Sequence, residues 1–489
     1  FDVSRMKPVI ALVGRPNVGK STLFNQLTRT RDALVADLPG LTRDRKYGSA
    51  RLGDRHATDF KGGEREVILI DTGGLSGEDA VLDERMAAQT WKAVDEADVL
   101  VFLVDARAGL TAADSTIAER LRRKNKPIIL VTNKMDGADE VTALAEFSGL
   151  GLGEPVRLVA SHGRGMLSLA ERVIALLPPA PEAMDDDAID AKGMMVGIIG
   201  RPNVGKSTLV NRLLGEERMV TMDMPGTTRD SVFIPWEHNG KPVTLIDTAG
   251  VRRRGRVDNM IEKFSVVKTL QAVDAAQVVV LVVDAQEGIV EQDLHLLGFV
   301  LERGCALIIA VNKWDGLSPD QRERVKVELD RRLDFIDYAE ILFISALHGS
   351  NVGLLMDKVE KAHASAGIKL STPRLTESLE VAQFRHQPPL INGRRIKLRY
   401  AHQGGRFPPT IIIHGKQTDR LPGSYKRYLE KFFREQFQLY ATPVRLQFKT
   451  DENPYQPENE RKTKSLMEHL KDKRERRINK GKAARGEKR

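Results

Sequence analysis

Residues 14–21 read Gly-Arg-Pro-Asn-Val-Gly-Lys-Ser, and residues 200–207 repeat this octapeptide unchanged. An apolar run leads into each octapeptide, Val9 to Val13 in the first copy and Met195 to Ile199 in the second. When such a loop follows a strand and opens a helix, its backbone N–H groups wrap phosphates. The chain is therefore predicted to contain a duplication with a phosphate-binding loop in each copy.

Three further motifs recur in the same order in both copies. They read Pro-Gly-x-Thr-Arg-Asp (39–44 and 225–230), Asp-Thr-x-Gly (71–74 and 247–250) and Asn-Lys-x-Asp (133–136 and 312–315). Continuous apolar runs precede the last two, as is typical of strands buried on both faces of a parallel sheet. We expect each copy to be an α/β domain, a mostly parallel sheet covered by helices, with its ligand at the carboxyl ends of the strands.

The phosphate loops and the Asp-Thr-x-Gly motifs predict a magnesium ion in each copy. The loop lysine contacts β- and γ-phosphate oxygens, and the serine after it holds Mg²⁺. The motif aspartate ends a buried strand, where a carboxylate is unfavourable unless a cation faces it. With the threonine of Thr-Arg-Asp, the expected magnesium ligands are Ser21, Thr42 and Asp71, and Ser207, Thr228 and Asp247.

The two threonines are the expected switches, which close over Mg²⁺ and the γ-phosphate. An ordinary loop hydroxyl is the alternative, but the repeated context favours a switch. The last glycine of Asp-Thr-x-Gly lets a backbone N–H approach the γ-phosphate. The predicted catalytic residues are Lys20, Thr42, Gly74, Lys206, Thr228 and Gly250.

Leu75 and Val251 follow the two Asp-Thr-x-Gly motifs. Many nucleotide hydrolases place glutamine there to orient the attacking water, which neither side chain can do. We expect slow intrinsic hydrolysis, or a water ordered by another group.

The Asn-Lys-x-Asp motif predicts guanine as the base. Asp136 and Asp315 can each accept two hydrogen bonds from the guanine ring N–H and its exocyclic amine. Adenine lacks that amine and would leave a buried acceptor unpaired. The lysines are expected to pack over the ring, and the asparagines to tie this loop to the phosphate loop. An ATPase or kinase is the alternative that this motif disfavours.

A final loop is expected to offer a backbone N–H to the guanine oxygen. Ser345-Ala346-Leu347 has the usual form, whereas the first copy has Val159-Ala160-Ser161 and lacks the serine. The predicted nucleotide-binding residues of the first copy are Gly14, Arg15, Pro16, Asn17, Val18, Gly19, Lys20, Ser21, Asp71, Thr72, Gly73, Gly74, Leu75, Asn133, Lys134, Met135, Asp136 and Ala160. Those of the second are Gly200, Arg201, Pro202, Asn203, Val204, Gly205, Lys206, Ser207, Asp247, Thr248, Ala249, Gly250, Val251, Asn312, Lys313, Trp314, Asp315 and Ala346.

The positive charge is confined to the C-terminal quarter. The 489-residue chain has a net charge of +9, yet residues 370–489 hold 28 Lys and Arg against 13 Asp and Glu, a balance of +15. Such a balance is typical of a polyanion binder. Cys305 is the only cysteine, which excludes an internal disulfide. Without an apolar run long enough to span a bilayer, the expected location is cytoplasmic.

The C-terminal segment predicts a small α+β module. Its pattern indicates a helix over Leu375 to Ala382, strands over Ile396 to Tyr400 and Thr410 to His414, a second helix, and a strand over Val444 to Phe448. Aromatic residues at helical spacing in the second helix indicate a core stripe rather than base-stacking groups. No GxxG lies between two helices, so the sequence does not predict the loop with which some RNA-binding domains clamp single-stranded RNA.

Together the identical phosphate loops, the Thr-Arg-Asp motifs and the basic module resemble the Der (EngA) family of bacterial tandem GTPases, over essentially the whole chain. The resemblance implies GTP and GDP as ligands with Mg²⁺, a KH-like C-terminal domain, and binding to the large ribosomal subunit and its rRNA during late assembly. It also implies K⁺ as an activator, bound by Asn17 and Asn203; an asparagine that only braces the loop is the alternative. An activating protein and a monomeric state off the ribosome are further expectations.

The expected organisation is a first GTPase domain (6–177), an acidic and Pro-rich linker (178–193), a second GTPase domain (194–368), a KH-like domain (369–455) and a basic disordered tail (456–489). A signalling or membrane-remodelling GTPase with protein partners is the alternative function. The charge of the last two segments disfavours it.

Overall fold

A computed structural model describes residues 7–28, 35–37, 46–53, 65–72, 90–136, 140–178, 193–216, 232–247, 266–391 and 394–450. Most of the predicted linker, residues 451–455 of the predicted KH-like domain and all of the predicted tail (456–489) lie outside these ranges. The predicted site residues outside them are Thr42, Gly73, Gly74, Leu75, Thr228, Thr248, Ala249, Gly250 and Val251.

The first copy forms a seven-stranded sheet in the order β2-β3-β4-β1-β5-β6-β7. The strands are β1 Val9–Val13, β2 Val35–Asp37, β3 Lys46–Leu52, β4 Arg65–Asp71, β5 Val99–Asp105, β6 Ile128–Asn133 and β7 Val156–Arg157. The helices with both ends described are α1 Lys20–Thr28, α2 Ala112–Arg122, α3 Glu140–Ser148 and α4 Met166–Leu176, and residues 90–96 are also helical. β2 and β3 are antiparallel to their neighbours, and the other pairs are parallel.

The second copy has six described strands, in the order β9-β10-β8-β11-β12-β13, which repeats the order β3-β4-β1-β5-β6-β7 of the first copy. Its strands are β8 Met194–Ile199, β9 Val232–His238, β10 Lys241–Asp247, β11 Val278–Asp284, β12 Ala306–Asn312 and β13 Glu340–Phe343. Its helices are α5 Lys206–Glu216, α6 Val266–Ala275, α7 Glu291–Arg303, α8 Pro319–Leu333 and α9 Val352–Ala366. The duplication in sequence is thus a duplication in topology, and the predicted mostly parallel α/β fold is confirmed.

Burial explains why the sequences of the central strands are continuous apolar runs. Every residue of β1, β11 and β12 is buried. Ile10 and Leu12 of β1 contribute to the core on one face of the sheet, and Val9, Ala11 and Val13 to the core on the other. A strand covered by helices on both faces has no position for a polar residue until it ends. Polar side chains therefore appear at the carboxyl ends, where the motifs lie.

The C-terminal module has a three-stranded sheet in the order β16-β17-β18. Its elements are α10 Thr372–Arg385, β14 Leu390–Ile391, β15 Arg394–Arg395, β16 Lys397–Gly405, β17 Thr410–Lys416, α11 Gly423–Gln436 and β18 Arg445–Thr450. The predicted order is correct, but α10, β16 and β17 are longer than predicted and the short β14–β15 hairpin was missed. Tyr425, Leu429 and Phe433 of α11 are buried, as expected of a core stripe.

Contacts between Cα atoms divide the chain into two compact units. One comprises both copies together with residues 405–410 and 433–445, and the other comprises residues 370–404, 411–432 and 446 onward. Cys305 is buried in the first unit, and burial raises the pKa of its thiol to about 11. Within the described ranges, no helix is long and apolar enough to cross a membrane.

Candidate nucleotide-binding sites

Both phosphate loops adopt the same strained backbone. Gly14 and Gly200 have φ of +153° and +154°, and a Cβ there would lie 2.4 and 2.5 Å from the carbonyl oxygens of Leu103 and Val282. Gly19 and Gly205 have φ of +100° and +99°, a region that L side chains rarely adopt. A Cβ at Gly14 or Gly200 would collide with the neighbouring strand, and one at Gly19 or Gly205 would lie 2.3 Å from the amide nitrogen of Asn133 or Asn312, so only glycine fits these positions.

The loop lysine is buried and folded back onto its own loop. Lys20 Nζ donates to the carbonyl oxygens of Gly14 at 3.0 Å and Arg15 at 2.7 Å, and Lys206 Nζ donates to that of Arg201 at 2.6 Å. Burial lowers the pKa of Lys20 to about 8, although the nearby Asp71 carboxylate acts in the opposite direction. An anion in the loop would therefore favour the charged form of this side chain.

Asp71 fits the requirements of a magnesium ligand. It ends β4 and is buried, and burial raises its pKa, while a hydrogen bond from Ser21 and the charge of Lys20 act in the opposite direction. Its Oδ1 atom has no hydrogen-bond partner among the described residues. A buried, unpaired carboxylate oxygen beside a serine hydroxyl is the oxygen-rich setting that Mg²⁺ prefers. Asp247 ends β10 at the corresponding position.

An asparagine connects three loops in each copy. Asn133 Nδ2 donates to the carbonyl oxygen of Val18 at 2.8 Å, and its Oδ1 accepts from the backbone N–H of Ala160 at 3.0 Å. In the second copy Asn312 makes the same bonds to Val204 and Ala346, both at 2.8 Å. The asparagine thus braces the phosphate loop against the final loop. It also occupies the alanine N–H that was expected to face guanine.

The motif lysine pairs with an aspartate at the end of the adjacent strand. Lys134 Nζ lies 2.6 Å from Asp105 Oδ2, and Lys313 Nζ lies 2.5 Å from Asp284 Oδ2. Both lysines have positive φ, 62° and 64°. The ion pair holds the lysine stem beside the place where a base would stack.

The carboxylate of Asn-Lys-x-Asp has different neighbours in the two copies. Asp136 Oδ1 lies 2.9 Å from Arg107 Nη2. Asp315 Oδ2 lies 3.2 Å from His348 Nε2, and a hydrogen bond from the Ser345 hydroxyl is the main reason that its pKa is lowered. Both carboxylates are partly exposed, at 29% and 38% of the side chain, so a ligand can reach them.

The arginine of each octapeptide fastens the loop to the helix after β5 or β11. Arg15 Nε lies 2.8 Å from Asp114 Oδ1, and Arg201 Nε lies 2.9 Å from Asp293 Oδ1. Both aspartates are almost completely buried. Asp114 also caps α2 with Thr111, which makes it part of the helix start. These arginines therefore lie on the side of the loop, whereas the exposed Asn17 and Asn203 lie at its tip, with φ of 63° and 65°.

Sequence reasoning missed the residues that support the motifs. Asp105 and Asp114 lie between motifs, and they and their counterparts Asp284 and Asp293 pair with motif residues in both copies, whereas Arg107 pairs with Asp136 in the first copy. The signal was present, because Asp-Ala-x-x-Gly followed five residues later by Asp occurs in both copies at 105–114 and 284–293. A search for repeats outside the known motifs would have found it.

Comparison with known proteins agrees with this geometry. The family model of 50S ribosome-binding GTPases matches residues 9–134 and 195–313. The model for the KH-like C-terminal domain of EngA bacterial GTPases matches residues 369–449. Each copy and the C-terminal module thus has its own match, in the order that the sequence predicts.

Whole-chain relatives agree. GTPase Der of Thioalkalivibrio sulfidiphilus (strain HL-EbGR7) is 59% identical over 96% of this chain and 100% of its own. GTPase Der of Hahella chejuensis (strain KCTC 2396) is 56% identical over 95% and 98%. A solved structure of Era with MgGDPNP and a 16S ribosomal RNA fragment is 21% identical over 54% of this chain and 94% of its own, with a TM-score of 0.27. The chain therefore belongs to the GTPase Der family of tandem GTP-hydrolysing enzymes.

Proposed function

We propose that this enzyme is a nucleotide-gated ribosome assembly factor, which binds the large ribosomal subunit late in assembly. The observation that carries the proposal is the charge of the module that follows the two GTPase domains. Residues 370–450 hold 15 Lys and Arg against 5 Asp and Glu. A folded module with this balance suits a partner of dense negative charge, and rRNA is such a partner. The description of the matching family model, 50S ribosome-binding GTPase, supports the same choice.

In this proposal GTP is a control signal. Thr42 and Thr228 close over Mg²⁺ and the γ-phosphate, and loss of that phosphate releases both segments. Mg²⁺ is held by Ser21, Thr42 and Asp71 in the first site, and by Ser207, Thr228 and Asp247 in the second. When bound, the ion neutralises charge on the phosphates.

The remaining roles are assigned within the same proposal. Lys20 and Lys206 with the backbones of Gly74 and Gly250 contact the reacting phosphate. Asp136 and Asp315 read guanine. K⁺ at Asn17 and Asn203 supplies positive charge beside the phosphates, in sites where Leu75 and Val251 cannot orient the attacking water. We further propose the domain limits 6–177, 194–368 and 369–455, with cytoplasmic action alongside the ribosomal partner.

Sedimentation with ribosomal subunits tests the proposal. Purified large and small subunits are mixed with the chain and a non-hydrolysable GTP analogue, GDP or no nucleotide, then separated on sucrose gradients. We expect co-sedimentation with the large subunit in the GTP-analogue state and less in the other two. Equal recovery in all three states would refute gating.

A matched control uses the variant with Asp136→Asn and Asp315→Asn. Because it cannot read guanine, it should lose the response to the GTP analogue while its basic module is unchanged. Absence of the wild-type chain from both subunit fractions in every state would favour the alternative, a GTPase whose partners are proteins.

A further inference from the structure

The two sites differ in the group that holds the guanine-reading carboxylate. In the second copy Ser345 of the final loop donates its hydroxyl hydrogen bond to Asp315, and its Oγ accepts from the backbone N–H of His348 at 3.3 Å. The serine is thus held by one bond and orients the carboxylate with the other. A carboxylate that must meet two donors on one ring edge benefits from such orientation.

The first copy cannot use the same device. Ala160 and Ala346 correspond, because each N–H donates to the motif asparagine, and so the residue before each, Val159 and Ser345, also correspond. Val159 is buried against Ala106 and Met135 and has no hydroxyl. In the second copy Met135 is replaced by the larger Trp314, which packs on Phe343 at 4.1 Å between ring centroids.

Arg107 supplies a donor in the place where the serine is missing. Its Nη2 atom lies 2.9 Å from Asp136 Oδ1, and its guanidinium is half exposed. The backbone N–H of Arg107 donates to Asp105 Oδ1 at 3.0 Å, and that of Gln286 donates to Asp284 Oδ1 at 2.9 Å. The two positions therefore share this backbone hydrogen bond and differ in the side chain. Gln286 lies against Gly316, where a Cβ would come within 2.9 Å of its amide nitrogen.

We propose that Arg107 is the positioning residue of the first guanine site, and that it does for Asp136 what the Ser345 hydroxyl does for Asp315. The proposal rests on the proposed role of Asp136 as guanine reader. A carboxylate has about four lone-pair sites, so one bond from Arg107 leaves room for two from guanine. Both partners of the Arg107–Asp136 bond are charged, whereas a serine hydroxyl is neutral, and this added attraction offsets the greater exposure of the arginine.

The test exchanges the two devices within the full chain. All variants carry Asp315→Asn, so that GDP binding reports the first site. Dissociation constants for GDP and for inosine diphosphate (IDP) are measured by calorimetry. Arg107→Gln installs the residue of the second copy and should weaken GDP binding about five- to tenfold. IDP lacks the exocyclic amine and makes one bond fewer to the carboxylate, so its loss should be smaller.

A second substitution that restores GDP affinity would show that Arg107 positions Asp136, because it could not repair a general structural defect caused by Arg107→Gln. Val159→Thr is close to valine in shape and adds a hydroxyl, so it should restore GDP affinity in the Arg107→Gln background to within about twofold. Unchanged GDP affinity in Arg107→Gln, equal losses for GDP and IDP, or no rescue by Val159→Thr would each overturn the proposal.

The reciprocal exchange and one control complete the design. With Asp136→Asn as background, Ser345→Val should weaken GDP binding at the second site, and Gln286→Arg should restore it; failure of this rescue also counts against the proposal. The Asp136→Asn chain with the second site intact should bind one equivalent of GDP. If it binds two, the guanine-reading role of Asp136 fails, and this outcome differs from a failure of Arg107 alone.

Discussion

At the scale of single residues, Lys20 shows how the fold prepares a side chain for an anion. Its ammonium group is buried against loop carbonyls, and burial lowers its pKa to about 8. Between about pH 8 and its ordinary value of 10.5, the nucleotide-free chain binds fewer protons there than the unfolded chain. Lys20 therefore destabilises the nucleotide-free fold below pH 8, and this penalty is relieved as pH rises through that window.

Nucleotide binding should reverse this shift. Phosphates favour the charged lysine, so binding of GDP at about pH 9 should take up a proton at the first site, and affinity should fall as pH rises further. Calorimetry in two buffers of different ionisation enthalpy measures the uptake. At about pH 7, where Lys20 is already charged, Lys20 should contribute none. If the binding enthalpy depended on the buffer to the same extent at about pH 9 and about pH 7, the prediction would be contradicted.

Asn133 should contribute strongly to GDP affinity at the first site, because it connects two loops of that site. Asn133→Ala removes bonds to both the phosphate loop and the final loop, and should weaken GDP binding at the first site by at least about tenfold. Titration of the variant in an Asp315→Asn background measures this, and Asn312→Ala with Asp136→Asn is the matched pair. Affinity within about twofold of the parent would show that the loops hold their positions without it.

The exposed asparagines at the loop tips predict a dependence on K⁺. Turnover of GTP should be at least about tenfold faster in KCl than in NaCl at equal ionic strength, since a bound cation stabilises charge that develops on the phosphates. Asn17→Ala and Asn203→Ala together should remove the difference, although the phosphate loop keeps its lysines. Equal rates of the parent chain in the two salts would rule out K⁺ activation.

At the scale of elements, the start of α2 is joined to the phosphate loop. Asp114 accepts from Thr111 as part of a capping box and also pairs with Arg15. One buried carboxylate therefore caps the N-terminus of α2 and also holds the phosphate loop through Arg15. In the second copy Asp293 pairs with Arg201, which also contacts Glu287 at 2.8 Å. Burial disfavours charge on Arg201, but these two carboxylates raise its pKa overall.

Asp114→Ala should destabilise the first copy by about 2–4 kcal/mol, because it removes a cap and leaves a half-buried guanidinium unpaired. Urea unfolding followed by a probe in the first copy measures the change. Thr116→Ala on the same helix is the control, since that side chain is exposed, and it should cost less than about 0.5 kcal/mol. Similar effects of the two substitutions would show that the pair contributes little.

At the scale of the whole molecule, the excess positive charge lies in the C-terminal part of the sequence and not in the two GTPase copies. Residues 461–489 carry 13 Lys and Arg against 4 Asp and Glu and lie outside the described residues. If they neutralise rRNA phosphates, their deletion should reduce the slope of log affinity against log salt by at least about two units, because each contact contributes about 0.7–0.9. Filter binding to large-subunit rRNA across a salt series measures the slope. GTP hydrolysis should be unchanged, and an unaltered slope would show that the tail makes no contact.

The order of the motifs was enough to predict the fold class and the family, and both predictions are confirmed. In both copies the phosphate loop, Asp-Thr-x-Gly and Asn-Lys-x-Asp begin where a strand ends, and the sequence of strand, loop and helix specifies a parallel sheet with its ligand at one edge. Local patterns such as the buried aromatic residues of α11 were also readable, because they depend on neighbours within a few turns of one helix. The β14–β15 hairpin was missed, since two-residue strands have no periodicity to detect.

By itself the sequence determined which chemical groups each site holds, because those groups lie inside contiguous motifs next to strands. Only the tertiary structure decided what supports them. Arg15 and Asp114 are 99 residues apart, and Lys134 and Asp105 are 29 apart; they meet because neighbouring parallel strands end at the same edge of the sheet. The use of Arg107 in place of a serine as the donor to Asp136 was likewise decided by the tertiary structure, since a donor to one carboxylate can come from any loop at that edge of the sheet.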